Sequence, residues 1–239
     1  MKDVAVLTEK RYLNYSGNNQ YINNILKEDG LVLSELESLG LSCARVAWDG
    51  DRGVSGFKHG LFRTTWNYFE QLSRFKAFLN SFKKINFFIN PHEQIIWNLD
   101  KSYLLELNRA GVNIPKTHLA IRGYSVDLNQ LCELFGCKGV VVKPCVSAAA
   151  WNTHYFKKID EESQVVFNDL LRRQNMLVQE FQKNILSFGE LSLMMIGGEY
   201  SHAVIKKAKT GDFRVQDDFG GTVKLYEASK QEVEFAKNI

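Results

Sequence analysis

Three cationic side chains and two carboxylates stand where a phosphorylated ligand could be gripped. Lys143 closes the run Val140-Val141-Val142-Lys143-Pro144 and precedes Cys145-Val146-Ser147-Ala148-Ala149-Ala150. A lysine ending an apolar strand aims a fixed charge past the strand, and a loop of small residues lets backbone N–H groups approach an anion. The alternative is a lysine whose stem snorkels to solvent. Lys101 follows Ile96-Trp97-Asn98-Leu99-Asp100 at the expected start of a helix. The helix dipole disfavours a cation there, and a bound polyphosphate would compensate both. Arg214 sits in Gly211-Asp212-Phe213-Arg214-Val215-Gln216, between Lys206-Lys207 and Gly220-Gly221. A guanidinium shaped by glycine turns suits bidentate contact with phosphate or carboxylate, unless the segment is simply a charged surface loop. Val178-Gln179-Glu180-Phe181 and Gly189-Glu190 could serve an adenine amino group and a ribose diol, or be solvated carboxylates.

A second group lies nearer the N-terminus: Arg63-Thr64-Thr65-Trp66-Asn67-Tyr68, directly after an expected strand. Ligands of open α/β sheets bind at the carboxyl ends of strands, so Arg63 with two hydroxyls and two aromatics could hold a small carboxylate. The alternative is a helix entry, with Thr65 as N-cap and Trp66 in the core. The five histidines, at 59, 92, 118, 154 and 202, lack metal-ligand spacing, and no Gly-x-Ser-x-Gly, Walker A or Gly-x-Gly-x-x-Gly sequence is present.

The elements that must position these residues alternate. Strands are expected at 4–8, 41–47, 60–64 and 86–90, with amphipathic helices at 21–39 and 68–82 between them. Asp29-Gly30 is a candidate break in the first helix, and Gly40 a stop. This predicts an open parallel sheet with helices on its faces. Further on, a helix at 101–110 capped by Asp100, strands at 117–121, 139–144, 153–159 and 176–181, and helices at 128–135 and 165–173 describe an α+β region. A hairpin turning at Gly197-Gly198 joins strands 190–196 and 200–207, and residues 229–239 read as helical.

In that order the motifs resemble an ATP-grasp protein of the glutathione-synthetase and ribosomal-protein glutamate-ligase kind, with greatest similarity to the cycloserine-synthetase-like group. The resemblance spans about residues 60–225. It rests on 63–68, on 97–104, on Val142-Lys143-Pro144 with Ser147-Ala148, on Gln179-Glu180-Phe181 with 189–193, on 201–206, and on 211–216 with Gly220-Gly221. It implies an N-terminal α/β substrate domain at 1–111, a lid subdomain at 112–180 and a core subdomain at 181–239, the last incomplete. It implies ATP held by Lys101, Lys143, Ser147, Ala148, Gln179, Glu180, Phe181 and Glu190, with Arg214 and Lys206 in catalytic positions. It places a substrate against Arg63, Thr64, Trp66 and Asn67. The family's reaction activates a carboxylate as an acyl phosphate, which an amine then displaces. Its Mg²⁺ ligands normally lie on two later strands. After Gly221 only Glu227, Glu232 and Glu234 remain, without that pattern, so the Mg²⁺ ligands are expected beyond Ile239 and no metal site is expected within the chain.

Composition agrees with this class and excludes others. The 239 residues are 45% apolar and 24% charged with a formal charge of +3, ordinary for a globular protein and too balanced to indicate nucleic acid or membrane as partner. No run approaches the ~18 apolar residues of a membrane span, and the first residues read as a strand and not a signal peptide. Four cysteines without a Cys-x-x-Cys pair read as reduced thiols of a cytoplasmic protein, monomeric or homodimeric. Two other readings stay open: a nucleotide-binding module without catalysis, and a small-acid kinase on the same fold.

Overall fold

The apolar run near the N-terminus becomes the centre of a sheet. In the computed structural model, which describes residues 1–50, 54–83, 87–215 and 219–239, β1 (Lys2–Thr8) pairs in parallel with β2 (Cys43–Ala47) on one side and β3 (Phe57–Thr64) on the other. Strand β4 (Phe87–Ile89) pairs in parallel with β3, giving the order β2-β1-β3-β4. Both faces of β1 are covered. Val4 and Val6 pack with Val32, Leu33 and Leu36 of α2 (Gln20–Ser38), and Ala5 and Leu7 join Phe75, Leu79 and Phe82 of α3 (Leu72–Lys83). Such two-sided burial explains why β1 reads as an unbroken apolar run and not as an alternating one. The Asn19 side chain accepts from Ile22 N to start α2, and Gly40 follows it at φ +80°.

The chain divides into two units, Met1–Asp100 and Lys101–Ile239. In the second, an antiparallel sheet of order β5-β8-β6-β7 is formed by Thr117–Ala120, Met176–Glu180, Val140–Pro144 and His154–Phe156. Val140, Val142, Met176 and Val178 face a core closed by α6 (Leu128–Phe135) and α7 (Glu161–Arg173). A second antiparallel sheet, β11-β10-β9, joins Thr222–Tyr226, Glu199–Lys207 and Glu190–Ile196. Helix α9 (Lys230–Lys237) begins with a capping box between Ser229 and Glu232. Among the described residues no helix is long and apolar enough to cross a membrane. The four cysteines are free thiols.

Several expectations need correction. Helix α2 runs through Asp29-Gly30 without a break. The Asp29 side chain is fully buried and accepts from Arg45 Nε at 3.0 Å, so the position reads as a turn residue but serves an internal ion pair. Residues 68–82 split into a 3₁₀ turn, Trp66–Phe69, and α3. Thr65 makes no side-chain cap bond at that turn. Lys101 is not in a helix: α5 spans Tyr103–Arg109 after Ser102, and the turn before it is built from backbone bonds. Strand 153–159 shortens to β7. Four elements had no clear periodicity and were not expected: α1 (Lys10–Leu13), α4 (His92–Asn98), α8 (Asn184–Ser187) and β11. Asn86, the expected start of the fourth strand, and Gln216 of the Arg214 motif lie outside the described residues.

Candidate nucleotide site

Strand alternation puts Lys143 over a cavity. On β6, Val140, Val142 and Pro144 are buried, and Val141 and Lys143 point to the opposite face. Val141 pairs in register with Gln179, and both line a cavity of about 380 Å³ in the second unit. Burial pushes the Lys143 ammonium below its usual range, while the Glu190 carboxylate opposes that shift. A partly buried cation at the wall of an open cavity is placed to meet an anion.

The lining residues come from well-separated parts of the unit. Lys101 is anchored twice: its N–H donates to Cys145 O at 2.8 Å, and Nζ donates to Ser147 O at 2.6 Å and to Ser147 Oγ at 3.0 Å. This ties the segment before α5 to the loop after β6. In that loop Ala149, Ala150 and Asn152 adopt φ of 48°, 53° and 51°, and Trp151 N donates to Ala148 O at 3.0 Å. Left-handed alanines cost about 1–2 kcal/mol each relative to the right-handed region. The loop therefore holds a tight shape that glycine would adopt at less cost.

Glu180 N donates to Lys116 O at 3.0 Å, which fixes the strand end where Phe181 follows. The Phe181 ring stacks on Tyr155 at 3.8 Å and meets Phe213 edge-on at 6.2 Å. Gly189 has φ +119°, and a Cβ there would lie 2.5 Å from Lys206 O, so only glycine lets β9 begin beside β10 with Glu190 in place. Arg214 is clamped by its own loop. Its Nε and guanidinium NH donate to the Asp212 carboxylate at 3.1 and 2.6 Å, and its charge lies 3.8 Å above the Phe219 ring. Those bonds hold the Asp212 carboxyl well below the usual carboxylate range.

Of the residues anticipated for a nucleotide, Lys101, Lys143, Ser147, Ala148, Gln179, Glu180, Phe181 and Glu190 all line this one cavity, as does Arg214. Gln179 is committed to the fold, because Nε2 donates to Thr117 Oγ1 at 2.8 Å. Lys206 does not line the cavity; its Nζ lies 3.4 Å from Glu190 Oε1. The apolar walls Pro115, Val141, Ile185 and Phe213 were missed. Val141 was legible as the i−2 neighbour of Lys143, whereas Pro115 lies in an irregular segment and Ile185 in α8, a four-residue helix too short to carry a periodic signal.

The second anticipated group lies in the first unit. The Arg63 guanidinium pairs with Glu28 and approaches Asp29 Oδ1 at 3.5 Å. The Thr64 hydroxyl is buried against Thr8 Oγ1 at 2.5 Å. Asn67 accepts from Trp48 Nε1 at 2.8 Å and donates to Asp49 Oδ2 at 2.7 Å. Trp66 is half-buried beside Tyr12 and Tyr21, with ring centroids at 6.0 and 6.4 Å. Glu232, a candidate late carboxylate, is used by its cap, accepting from Ser229 N at 2.7 Å.

A two-part α+β unit whose strand-end lysine, small-residue loop and glycine-framed arginine meet around one cavity, following a parallel-sheet domain in the sequence, defines the ATP-grasp class. The family model described as the RimK-like ATP-grasp domain matches residues 100–239, more than half of the chain, and the chain belongs to that family. Residues 4–90 match the N-terminal domain of D-cycloserine synthetase DcsG. The chain is 25% identical over 183 residues to the cycloserine biosynthesis protein DcsG of Streptomyces lavendulae, covering 74% of this chain and 61% of that protein. It is 31% identical over 163 residues to a probable alpha-L-glutamate ligase of Hydrogenovibrio crunogenus, covering 65% of this chain and 52% of that protein. The matched regions thus span between half and two thirds of these relatives. Among solved structures, D-cycloserine synthetase DcsG superposes with a TM-score of 0.84 at 22% identity, over 98% of this chain and 78% of that one. A D-alanine–D-alanine ligase from Bacillus anthracis gives 0.63 at 11% identity, over 99% and 77%.

Proposed function

We propose that the chain binds ATP in its second unit and serves ATP-dependent ligation of a small, amino-acid-like carboxylate to an amine. The observation that supports this most directly is the meeting of Lys101, Lys143, Arg214 and Glu190 around one cavity with apolar walls. Family membership and the ligases named among the relatives support the same reading.

In this reading Val141, Ile185 and Phe181 cover the base, Glu190 takes the ribose diol, and Lys101 and Lys143 meet phosphate oxygens. A substrate carboxylate oxygen bonds to the γ-phosphorus as the bond to the bridging oxygen breaks and ADP departs. The amine nitrogen then bonds to the acyl carbon, phosphate leaves, and the nitrogen gives up a proton. Arg214 faces the charge that develops on the transferred group. The loop after β6, pinned through Ser147 to Lys101, excludes the water that would hydrolyse the activated acyl group. Mg²⁺, when bound, would neutralise charge on the phosphoryl oxygens. The cavity lining contains two carboxylates, Glu180 and Glu190, and among the described residues no three metal-binding side chains cluster. The proposal therefore gives Mg²⁺ a place in the reaction without assigning it ligands in this chain. In the first unit the acceptor reading keeps Arg63 and Trp66; a substrate carboxylate reaching Arg63 would displace the mostly exposed Glu28.

The test measures ADP and phosphate formed from ATP with panels of amino-acid carboxylates and amines, with product mass as readout. The reading expects ADP formation that requires both partners and a product heavier than the acid by the amine minus water. ADP formation with the acid alone and a phosphorylated product would replace it with a kinase. Nucleotide binding without turnover on any pair would leave a binding module.

A further inference from the structure

We propose that Cys132 and Cys137 form a dithiol pair that a small-molecule disulfide oxidises to an internal disulfide, a modification site in the second unit apart from the cavity. The end of α6 builds the pair. Gly136 follows Phe135 at φ +68°, Gly136 N donates to Glu133 O at 3.0 Å, and Cys137 N donates to Cys132 O at 2.9 Å. These are the two bonds of a Schellman ending, which brings the side chains of its first and last residues, here Cys132 and Cys137, against each other. Both residues pack on the same core of α6, α7 and the sheet. Each Cα is one or two bonds from the 2.9 Å hydrogen bond, so the two Cα atoms fall within the about 7 Å that a disulfide can span.

The surroundings hold this arrangement. Lys116 Nζ donates to Phe135 O at 2.5 Å, and two residues past Cys137 a Cβ on Gly139 would strike Phe156 O of β7. The segment between α6 and β6 is thus pinned at both ends. The thiols differ in access, because Cys132 is 7% exposed and Cys137 is only partly buried. Burial first, and then the neighbouring Cys137 sulfur, push the Cys132 thiol up to about 11. Cys137 is therefore the thiol that an oxidant meets, and Cys132 the one that resolves. Among the described residues no third His, Cys, Asp or Glu joins them in a metal-binding cluster, and a zinc site takes more ligands than two.

The chemistry is thiol–disulfide exchange. The Cys137 thiolate bonds to one sulfur of the oxidant, whose S–S bond breaks and releases one thiolate. Cys132 gives its proton to solvent, its sulfur bonds to that of Cys137, and the second thiolate leaves. The two released thiolates take up the two protons that the cysteines gave up, so one protein disulfide forms and one small disulfide is reduced to two thiols. Closing the bond twists the last turn of α6 and with it Lys116, whose carbonyl oxygen accepts from Glu180 N at 3.0 Å at the cavity wall. ATP affinity falls about three- to tenfold, the scale of coupling carried through packed contacts. That consequence rests on the proposed function; the disulfide does not.

The experiment treats the full chain with glutathione disulfide, blocks remaining thiols with iodoacetamide and maps tryptic peptides by mass. Peptide 123–138 carries both cysteines and no internal lysine or arginine. The proposal expects this peptide to be two hydrogens lighter and closed to alkylation, with reversal by dithiothreitol. It expects Cys132→Ser to stop at the glutathione adduct on Cys137, and Cys137→Ser to leave Cys132 reduced. Thermal melts report whether each variant folds, and the map of the unaltered chain stands without them. ATP titrations of the reduced and oxidised chain read the coupling. An unaltered chain that keeps the glutathione adduct on Cys137, that stays reduced, or that pairs either cysteine with Cys43 or Cys145 would overturn the proposal. Equal ATP affinity in the two states would overturn the coupling. The disulfide in a chain that binds no ATP in either state would uphold the site and count against the nucleotide reading instead.

Discussion

Lys101 Nζ and Ser147 are joined by two hydrogen bonds, to the carbonyl oxygen at 2.6 Å and to Oγ at 3.0 Å. Through them the segment entering α5 holds the loop after β6, so one lysine both lines the cavity and shapes its cover. Lys101→Met keeps the aliphatic stem and removes both bonds. ATP affinity should fall by about 1.5–3 kcal/mol, the range for hydrogen bonds to a charged group. Limited proteolysis at the loop should become faster. Calorimetric titration with ATP and a cleavage time course check the two outcomes; loss of affinity without faster cleavage would remove the loop-shaping role.

Lys143 gives a pH dependence with a definite sign. Its ammonium titrates below its ordinary 10.5 because burial disfavours the charged form. Between the lowered folded value and the unfolded one the unfolded chain binds more protons, so this group's destabilising effect is present at lower pH and fades as pH rises through that window. Phosphate binding needs the charged form. ATP affinity should therefore decline at a pH below the range where a solvated lysine would neutralise, and ATP binding in that window should take up protons. Titrations in buffers of different ionisation enthalpy measure the uptake. Lys143→Ala should abolish it and weaken ATP by about 1–3 kcal/mol.

Gly189→Ala should be costly. The residue has φ +119°, and the new Cβ would meet Lys206 O at 2.5 Å. Strained backbone of this kind costs about 1–3 kcal/mol, and β9 must shift at its first residue, Glu190. A lowered melting temperature together with weakened ATP binding is expected. Gly198→Ala, at φ +83° with nothing within 4 Å, should lower stability without touching ATP affinity.

Asp29→Ala should destabilise the first unit while sparing nucleotide binding. The carboxylate is fully buried and bonded to Arg45 at 3.0 Å, with Arg63 at 3.5 Å. Removing it leaves Arg45, itself largely buried, without its partner, a change that costs about 3–5 kcal/mol. Urea unfolding followed by tryptophan emission should show the loss, and the ATP titration should be unchanged.

The cations and the parallel sheet could be read before any coordinates. Lys143 stands out because a charge ending a run of valines has one sensible direction, and period-two alternation then dictates its face. The run from Val4 to Leu7 required burial on both sides. Those are local consequences of side-chain chemistry on a repeating backbone, so the sequence alone determines them. The pairing of Lys101 with Ser147, the stacking of Phe181 on Tyr155, the loss of Gln179 to Thr117 and the burial of Asp29 against Arg45 join residues far apart in the chain. No local pattern encodes such contacts, because they depend on how loops close and which neighbours fill the remaining space. The same holds for Thr65, which reads as a helix cap in sequence but makes no side-chain cap bond in the fold. What the chain presents to a ligand was therefore settled by packing, while the kinds of residue available for the task were settled by the sequence.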